Sequence, residues 1–473
     1  MKRSGLLTDL YELTMMQGYL LRKREEKVVF DMFFRKQPFN GGYSVLAGVD
    51  EILSILEEFS FSDDDIEYLK SLGKFEKEFL DYLKTFKFSG DVYSMNEGEI
   101  VFPIEPLIRI HSSIVEAQLI ESILLNTINF QTLIATKAAR VVHAAQGNPV
   151  LEFGLRRAQG FDGALSAARA AYIGGVAGTS NTLAGKLFNI PVSGSMAHSW
   201  VMAFDNEYQA FKAFADLYPD SAILLIDTYD TLESGIENAI KVGLELKKKG
   251  KPIMVRLDSG DLFYLSKKIR KKLDDAGLKD AKIIVSNDLN EEIIHQLVTD
   301  GAPIDIWGVG TQLVTGGNDS AFGGVYKLAA KEADGEFVPT IKVSNNAEKT
   351  TNPGIKQVYR FFDGEGIAAG DLIALDSEKM EFGRPYKFYH PVYFHEKYII
   401  EGYCKIKPML ELKMKRGKRL FPPESLEKIK NRVQTNLKDF DDTHKRIINP
   451  HIYKVSLSEQ EKKLKAELTD EFK

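Results

Sequence analysis

The chain has 473 residues, of which 44% are hydrophobic and 27% are charged, so it is long enough for two or three domains with a sizeable core. The formal net charge of −5 argues against a general nucleic-acid binder, and the single cysteine, Cys404, excludes an internal disulfide framework and a multi-thiolate metal site. The sequence shows no signal peptide and no apolar run of membrane-spanning length. We therefore expect a cytoplasmic globular protein that binds neither nucleic acid nor a membrane.

Residues 1–134 are predicted to form an N-terminal α+β domain. Thr8 is a candidate N-cap for a helix over 9–21, in which Leu10 and Leu13 begin an apolar stripe at helical spacing. A strand, two acidic helices, a strand-rich stretch and a long apolar helix are predicted next, over 28–34, 50–58, 63–84, 90–111 and 119–136.

Residues 135–345 are predicted to form the catalytic domain, because short apolar runs alternate there with amphipathic helices. The candidate strands are 149–153, 174–177, 191–194, 222–226, 252–257, 282–285 and 304–308. The helices between them are predicted over 161–172, 206–217, 231–246, 262–276 and 290–298. This alternation indicates βαβ units and a parallel sheet. Seven units over about 170 residues favour a (β/α) barrel, complete or incomplete, with an open doubly wound sheet as the alternative.

After residue 320 the alternation fades. Antiparallel strands are predicted at 326–330, 340–343, 357–362 and 372–374, and the strands of 346–410 are expected to return to the N-terminal domain. Residues 411–473 are predicted to be a basic and mixed helical region, with helices over 423–437 and 456–471. Residues 405–446 hold 13 Lys and Arg against 6 Asp and Glu, a local charge of +7. A solvated face or a lid over anionic substrates fits this stretch better than nucleic-acid binding, since few aromatic residues are interleaved with the charges.

Functional groups of parallel α/β proteins gather at the carboxyl ends of the strands. The candidate strands are accompanied there by Phe153, Arg156, Thr179, Ser195, His198, Asp227, Arg256, Asp258, Asp261, Ser286, Asn287, Gly308, Gly310 and Thr311. Helix capping and tight turns account for many of the Asp, Ser, Asn and Gly residues. They do not account for His198, Arg156 and Arg256, which are poor capping residues.

Several of these residues suit a phosphorylated ligand. The segment 308–311 (GVGT) can bind phosphate, because glycine lets backbone N–H groups approach an anion, although a bare tight turn is as common. Arg156 and Arg256 can clamp a carboxylate or phosphate, with surface ion pairs as the alternative. The aspartates can hold Mg²⁺ beside a phosphate, with helix capping as the alternative for each of them: Asp227, Asp258 and Asp261.

Three further side chains are candidates for direct contact with a substrate. His198, one of eight histidines, follows small residues where a nucleophile or proton carrier is accessible, and a structural histidine is the alternative. Tyr11 and Phe153 can stack on a flat ring, or belong to the core. From the residues alone we expect an enzyme that handles a phosphorylated small molecule.

Seven segments in one order resemble the nicotinate phosphoribosyltransferase family. They are 7–18 (LTDLYELTMMQG), 152–157 (EFGLRR), 194–200 (GSMAHSW), 255–262 (VRLDSGDL), 286–290 (SNDLN), 308–317 (GVGTQLVTGG) and 342–360 (KVSNNAEKTTNPGIKQVYR). The fold that the resemblance implies is a barrel like that of type II phosphoribosyltransferases, plus an α+β domain built from N-terminal and later C-terminal segments.

The resemblance also implies a reaction. Nicotinate and phosphoribosyl pyrophosphate give nicotinate mononucleotide and pyrophosphate, in the salvage route to NAD. ATP is implied as a co-substrate, whose hydrolysis is coupled through a phosphohistidine at His198, and Mg²⁺ as a cofactor bound by Asp258. The alternatives are a nicotinamide-specific phosphoribosyltransferase, the quinolinate enzyme and a non-catalytic nucleotide-binding relative.

The residue roles that the resemblance implies fall into groups. The catalytic residues are His198, Arg256 and Asp258. Residues implied to bind the substrates are Tyr11, Phe153, Arg156, Thr179, Asp227, Ser286, Asn287, Gly308, Gly310 and Thr311. Of these, Gly308, Gly310 and Thr311 are implied to bind the 5′-phosphate. Lys342 and Lys356 can approach phosphates or form structural ion pairs. Because the family's tyrosine comes from a second subunit, we expect a homodimer with shared active sites.

Overall fold

The computed structural model describes residues 5–23 and 26–472. It divides into two compact units. Unit 1 combines Met1–Leu133 with Ala321–Lys473, and unit 2 is Ile134–Ser320. Among the described residues, no helix is both long enough and apolar enough to cross a bilayer.

The first part of unit 1 is mixed α and β, as predicted. Its elements are α1 Leu10–Lys23, β1 Lys27–Phe34, β2 Ser44–Val45, α2 Val49–Glu58, α3 Asp63–Ser71, α4 Lys77–Lys84, β3 Asp91–Ser94, β4 Ile100–Val101, β5 Ile108–Ser113, α5 Ile114–Leu119 and α6 Glu121–Ala144, of which the residues up to Leu133 belong to unit 1. The predicted helix over 63–84 divides into α3 and α4. Gly73 has a φ of 62°, a left-handed conformation that ends the first of these helices.

Unit 2 alternates strands and helices. Its elements are β6 Val150–Glu152, α7 Gly160–Ile173, β7 Gly178–Thr179, α8 Thr182–Phe188, α9 His198–Met202, α10 Glu207–Leu217, β8 Ile223–Leu225, a π-helical turn Thr231–Gly235, α11 Ile236–Lys248, β9 Met254–Leu257, α12 Leu262–Asp275, β10 Lys282–Val285, α13 Glu291–Thr299, β11 Ile306–Val309 and α14 Thr311–Val314.

The strands of unit 2 form one parallel sheet, which confirms the predicted parallel α/β architecture. The strand order is β7-β6-β11-β10-β9-β8, so the first strand of the unit pairs with the last. The β7 edge continues in a single parallel bridge from Thr179 to Val192. That bridge is all that the structure shows of the strand predicted at 191–194.

The strand predicted at 174–177 is wrong. Gly174 and Gly175, with a φ of 116° at Gly175, end helix α7, and the amide of Val176 still bonds back to the carbonyl of Ala171 at 3.3 Å. Glycines at a helix C-terminus provide the left-handed residue that stops the helix. The strand therefore begins only at Gly178.

The second part of unit 1 returns to the first. Its elements are β12 Gly324–Ala333, β13 Glu336–Pro339, β14 Lys356–Phe362, β15 Ala368–Leu375, β16 Tyr386–Tyr389, β17 Lys397–Ile400, β18 Lys405–Pro408, β19 Glu411–Lys415, β20 Lys418–Arg419, α15 Leu426–Asn436, α16 Asp442–Lys445, β21 Val455–Leu457 and α17 Glu459–Glu471, with 3₁₀ turns of unit 1 at Pro38–Asn40, Ala347–Lys349 and Leu437–Asp439.

Unit 1 contains two large sheets, and both parts of the chain share one of them. A seven-stranded sheet has the order β13-β12-β1-β5-β3-β19-β20, and a six-stranded sheet has the order β17-β16-β21-β15-β14-β18. Residues 321–345, predicted to end the barrel, lie in unit 1 because β12 pairs antiparallel with β1. The rings of Phe30 and Tyr326 stack across this pair, with centroids 4.6 Å apart.

Two predictions for the later chain are wrong. Residues 340–343, predicted to be a strand, form no strand in the structure. The strand nearest to them is β13, which ends at Pro339. Residues 411–473 are not only helical, because they contain β19, β20 and β21. The first two are rich in lysine and end the seven-stranded sheet, where charged side chains protect an exposed strand edge.

Candidate active site

The carboxyl ends of the parallel strands bring most predicted site residues to one edge of the unit 2 sheet. Parallel strands present their carboxyl ends on the same side. The residues at or just beyond those ends are Phe153, Arg156, Thr179, Asp227, Arg256, Asp258, Ser286, Asn287, Gly308, Gly310 and Thr311. Tyr11 belongs to unit 1, where it lies on α1 with 49% of its surface exposed.

His198 is accessible and has two different nitrogen environments. It is the first residue of α9, and its side chain is 42% exposed. Nδ1 lies 3.1 Å from the hydroxyl of Thr228, while Nε2 lies 3.9 Å from Oδ2 of Asp258. Because Thr228 holds the ring through Nδ1, Nε2 is the nitrogen left for a reacting group.

Two carboxylates from neighbouring strands, Asp227 and Asp258, lie beside this histidine. Oδ2 of Asp227 accepts hydrogen bonds from the amide of Asp258 at 2.9 Å and from the hydroxyl of Ser259 at 2.6 Å. Ser286 donates its hydroxyl to Oδ1 of Asp258. Oδ1 of Asp227 is buried and has no hydrogen-bond partner. Each carboxylate thus keeps one oxygen for a further partner.

This carboxylate pair suits a hard cation only if other ligands complete its shell. Oxygen ligands are those that Mg²⁺ prefers, together with water and substrate phosphates. Within the described part of the chain, no group of three or more His, Cys, Asp and Glu side chains is arranged to hold a metal. A cation here would therefore depend on water and on a phosphorylated substrate.

Arg256 and Arg156 supply positive charge at the same edge. Nη1 of Arg256 donates to the hydroxyl of Ser195 at 2.7 Å, and its Nε is buried without a partner. Burial lowers the pKa of Arg256 from its usual value. The negative charges of Asp258 and Asp227 raise this pKa in part, and the positive charge of Arg156 lowers it further. A guanidinium with an unused donor and a second arginine nearby is suited to an anionic ligand.

The Phe153 ring packs directly on Gly308, which lies in β11. A Cβ atom at Gly308 would lie 2.6 and 2.7 Å from two ring carbons of Phe153, and one at Gly310 would lie 3.2 Å from its carbonyl oxygen. The amide of Phe153 donates to the carbonyl of Val309 at 2.9 Å. Gly308 is buried, so its missing side chain makes room for the ring. This gives the glycine a packing role that the phosphate interpretation of the sequence did not anticipate.

Sequence reasoning missed Glu152 as a site residue. Its carboxylate is 1% exposed and accepts hydrogen bonds from the amide of Gly154 and the hydroxyl of Thr179. Burial raises the pKa of Glu152, and these two hydrogen bonds oppose the rise. The available signal was an acidic residue inside the apolar run VLEF, since a charged side chain in a buried strand requires partners. Thr179 is itself fully buried.

Ser195 and Thr228 follow candidate strands, but neither was assigned a role in the predicted site. They bond to Arg256 and His198, and their signal was a hydroxyl at two further strand ends. Asp261 takes the capping role that was its alternative, because it accepts the amide of Tyr264 at 2.9 Å at the start of α12. It therefore acts in local structure.

The prediction that Lys356 approaches phosphates is wrong, and its structural alternative is correct. Lys356 is 2% exposed and lies 2.8 Å from the carboxylate of Asp31 in unit 1. Its ammonium also donates to the carbonyl of Gly354 at 2.6 Å. Lys342 is exposed, and Asn287 is exposed with a φ of 115°.

The fold and site define a parallel α/β protein with arginine, histidine and aspartate side chains at the strand ends, and comparison with known proteins gives its family. The nicotinate phosphoribosyltransferase (NAPRTase) family matches residues 149–382, with its N-terminal domain at 6–129 and its C-terminal domain at 355–465. Nicotinate phosphoribosyltransferase of Bacillus subtilis is 46% identical over 96% of this chain and 93% of that protein. The human protein of that name is 31% identical over 96% of this chain and 95% of its own length.

Solved structures agree. The crystal structure of human nicotinic acid phosphoribosyltransferase has a TM-score of 0.85 and 29% identity, covering 98% of this chain and 99% of that one. Nicotinate-nucleotide pyrophosphorylase from Pyrococcus furiosus shares the fold, with a TM-score of 0.70 and 24% identity over 92% of this chain and 95% of that one. The chain belongs to the nicotinate phosphoribosyltransferase family.

Proposed function

We propose that the protein transfers the phosphoribosyl group of phosphoribosyl pyrophosphate to the ring nitrogen of nicotinate, giving nicotinate mononucleotide and pyrophosphate in the salvage of NAD. Family membership supports the reaction. The observation that carries it is the grouping of Arg256, Asp227 and Asp258 at one sheet edge, with Phe153 at the end of another strand of that sheet.

The proposed reaction depends more on the stabilisation of charge than on covalent catalysis. The pyridine nitrogen bonds to the anomeric carbon of the ribose as the bond from that carbon to pyrophosphate breaks. Positive charge develops on the ribose and negative charge on the leaving pyrophosphate. The guanidinium groups of Arg156 and Arg256 would stabilise the negative charge on the leaving pyrophosphate. Because these groups are already held in place, the site needs little rearrangement during the reaction.

We propose Asp258 and Asp227 as the residues that hold Mg²⁺, or the ribose hydroxyls. The unpartnered oxygen of Asp227 supports this assignment, as does Oδ2 of Asp258, which lies 3.9 Å from Nε2 of His198 and accepts none of the hydrogen bonds described above for the site. The ion would neutralise charge on the pyrophosphate.

We propose that ATP transfers its terminal phosphoryl group to Nε2 of His198 and leaves as ADP. Water then hydrolyses the phosphohistidine during turnover and releases phosphate. The exposure of His198 and the contact of Nδ1 with Thr228 support Nε2 as the acceptor. A phosphoryl group at Nε2 would bring negative charge towards Asp258 and so change how the neighbouring site meets its anionic substrates.

We propose that two copies of the chain form a homodimer in which Tyr11 stacks on the nicotinate of its partner. The face of α1 around Tyr11 supports this, because its apolar residues are exposed: Leu10, Tyr11 and Met15. Burial, with the charges of Glu121 and Glu12, raises the pKa of Tyr11 to about 12. The ring would therefore stay neutral beside the negative charge of nicotinate.

We further propose that the unit 2 sheet is an incomplete (β/α) barrel. The pairing of β6 with β11 supports it, because a barrel joins its first strand to its last. On one side of this pair, β6 is followed by β7 and then by the bridge to Val192. On the other side, β11 is followed by β10, β9 and β8.

The reaction is tested with purified protein, labelled nicotinate, phosphoribosyl pyrophosphate and Mg²⁺, in the presence and absence of ATP. We expect nicotinate mononucleotide and pyrophosphate in equal amounts, at a rate that ATP increases. A preference for nicotinamide would favour the nicotinamide-specific alternative, and release of CO₂ from quinolinate would favour the decarboxylating one. Nucleotide binding without any turnover would identify a non-catalytic relative.

A further inference from the structure

We propose that Glu152 is a positioning residue, whose carboxylate holds the turn after β6 so that Phe153 presents its ring to nicotinate. The inference rests on the proposed function, since nicotinate is the ligand that the ring would stack on. It adds a residue that contacts no substrate but controls how the aromatic platform is held.

Glu152 lies between two turns of unit 2. It is the last residue of β6 and directly precedes Phe153. Its backbone carbonyl accepts the amide of Ser180 at 2.9 Å, and its carboxylate reaches Thr179 on the neighbouring strand β7. The residue therefore ties the turn after β6 to the turn after β7.

Both carboxylate oxygens of Glu152 accept hydrogen bonds. One accepts the amide of Gly154, a group that can only donate, and the other accepts the hydroxyl of Thr179. The Thr179 oxygen in turn accepts the amide of Asn181 at 3.0 Å, and its hydroxyl proton is left to donate to Glu152. A side chain with two acceptors is therefore required at position 152.

Hydrogen bonds hold the backbone around Phe153, and Gly308 packs against its ring. The Gly154 amide that Glu152 holds lies one residue after Phe153, and the Phe153 amide is bonded to Val309. The ring itself rests where a side chain at Gly308 would be. Loss of the carboxylate removes the acceptor of the Gly154 amide, while the bond from the Phe153 amide to Val309 and the contact of the ring with Gly308 remain.

The substitution Glu152→Gln tests this with almost no change in volume. Glutamine offers one acceptor and one donor group, so it cannot accept from both Gly154 and Thr179. We expect the nicotinate KM to rise about 2- to 12-fold, the range for losing an aromatic contact, with kcat and the KM for phosphoribosyl pyrophosphate changing less than about 2-fold. The matched control is Glu336→Gln on β13, the same chemical change at an exposed strand position, which should leave both KM values unchanged.

The partner residue gives a second route if Glu152→Gln fails to fold. Thr179→Val removes the donor and should raise the nicotinate KM in the same way, whereas Thr179→Ser keeps the hydroxyl and should restore the KM towards the wild-type value. The double variant of Glu152→Gln and Thr179→Val should be no worse than the more severe single variant, because both remove one interaction. Circular dichroism and melting temperature report folding for each protein.

The outcomes separate the inference from the proposed function. An active wild-type enzyme with a folded Glu152→Gln variant of unchanged nicotinate KM would overturn the positioning role alone. Equal rises in both KM values would also overturn it, since they would show a general loss of structure. A wild-type protein that forms no nicotinate mononucleotide, and binds no nicotinate by calorimetry, would overturn the proposed function and this inference together.

Discussion

The substitution Gly308→Ala tests the role of this glycine of β11. The new Cβ would lie 2.6 Å from one ring carbon of Phe153, 2.7 Å from a second and 3.3 Å from Cβ of Ser286. Ordinary carbon contacts lie at about 3.5–4.0 Å, so the ring must move by roughly 1 Å. Such crowding of a packed site typically costs about 1–3 kcal/mol of folding free energy.

The displaced ring should weaken nicotinate binding more than phosphate binding. Loss of an aromatic stack is worth about 0.5–1.5 kcal/mol, which corresponds to a rise of roughly 2- to 12-fold in the nicotinate KM. The KM for phosphoribosyl pyrophosphate should stay within about 2-fold of the wild-type value. Initial rates of nicotinate mononucleotide formation, with each substrate varied while the other is saturating, give both constants.

A matched control comes from Gly163→Ala on α7, where a Cβ would meet no atom within 4 Å. This variant should keep both KM values and gain about 0.5–1 kcal/mol of stability from its helical position. If Gly308→Ala raised the KM for phosphoribosyl pyrophosphate and left that for nicotinate unchanged, Gly308 would be a phosphate ligand, and the packing argument would be refuted.

Three further predictions concern the histidine, the tyrosine and a buried charge pair. His198→Ala should abolish ATP-dependent enhancement and acid-labile phosphate labelling while leaving basal transfer, and undiminished labelling would reassign the phosphohistidine. Tyr11→Ala should raise the nicotinate KM by roughly 2- to 12-fold, which corresponds to about 0.5–1.5 kcal/mol of lost stacking, and an unchanged KM would place Tyr11 outside the site. Burial raises the pKa of Glu461 from 4.5 to about 8 and lowers that of Lys465 from 10.5 to about 8. Because the folded state binds the proton of Glu461 more tightly than the unfolded state does, this group stabilises the fold below pH 4.5. Its contribution to the free energy of unfolding, up to roughly 5 kcal/mol, is lost as the pH rises to about 8. Above pH 8 the Lys465 contribution reverses the trend, because the unfolded state then binds more protons. Urea unfolding of the wild type and Glu461→Gln from pH 5 to 9 should give curves that diverge with rising pH, and parallel curves would contradict the assignment.

The parallel sheet and its polar edge followed from the sequence because their signals are local. Strands β8, β9, β10 and β11 are short buried apolar runs, and each is followed within a few residues by the side chains that line the edge. The strand predicted at 174–177 failed because Gly174 and Gly175 complete a helix end. Apolar composition alone does not distinguish those two structures.

The strands of residues 386–419 were less predictable. Their lysine-rich pattern is the same for an exposed helix and for an edge strand, and only pairing with a distant segment decides between them. Strand β19 pairs with β3, more than 300 residues earlier in the chain. Such long-range pairing leaves no local periodicity to detect.

Within the site, the sequence indicated which residues gather but not how each is used. Thr179 was predicted to bind substrate, yet its hydroxyl is committed to Glu152 and its side chain is buried. Gly308 was interpreted as part of a phosphate loop, and its packing against Phe153 depends on the pairing of β6 with β11. These roles follow from contacts between strands that lie far apart in the chain.

The most direct test of the central claim is the stoichiometry of the purified enzyme supplied with nicotinate, phosphoribosyl pyrophosphate, Mg²⁺ and ATP. Nicotinate mononucleotide, pyrophosphate, ADP and phosphate would be quantified in one reaction. We predict one pyrophosphate for each mononucleotide, with ADP and phosphate formed in step with them. Consumption of nicotinate without release of pyrophosphate, or no mononucleotide at saturating substrates, would contradict the account.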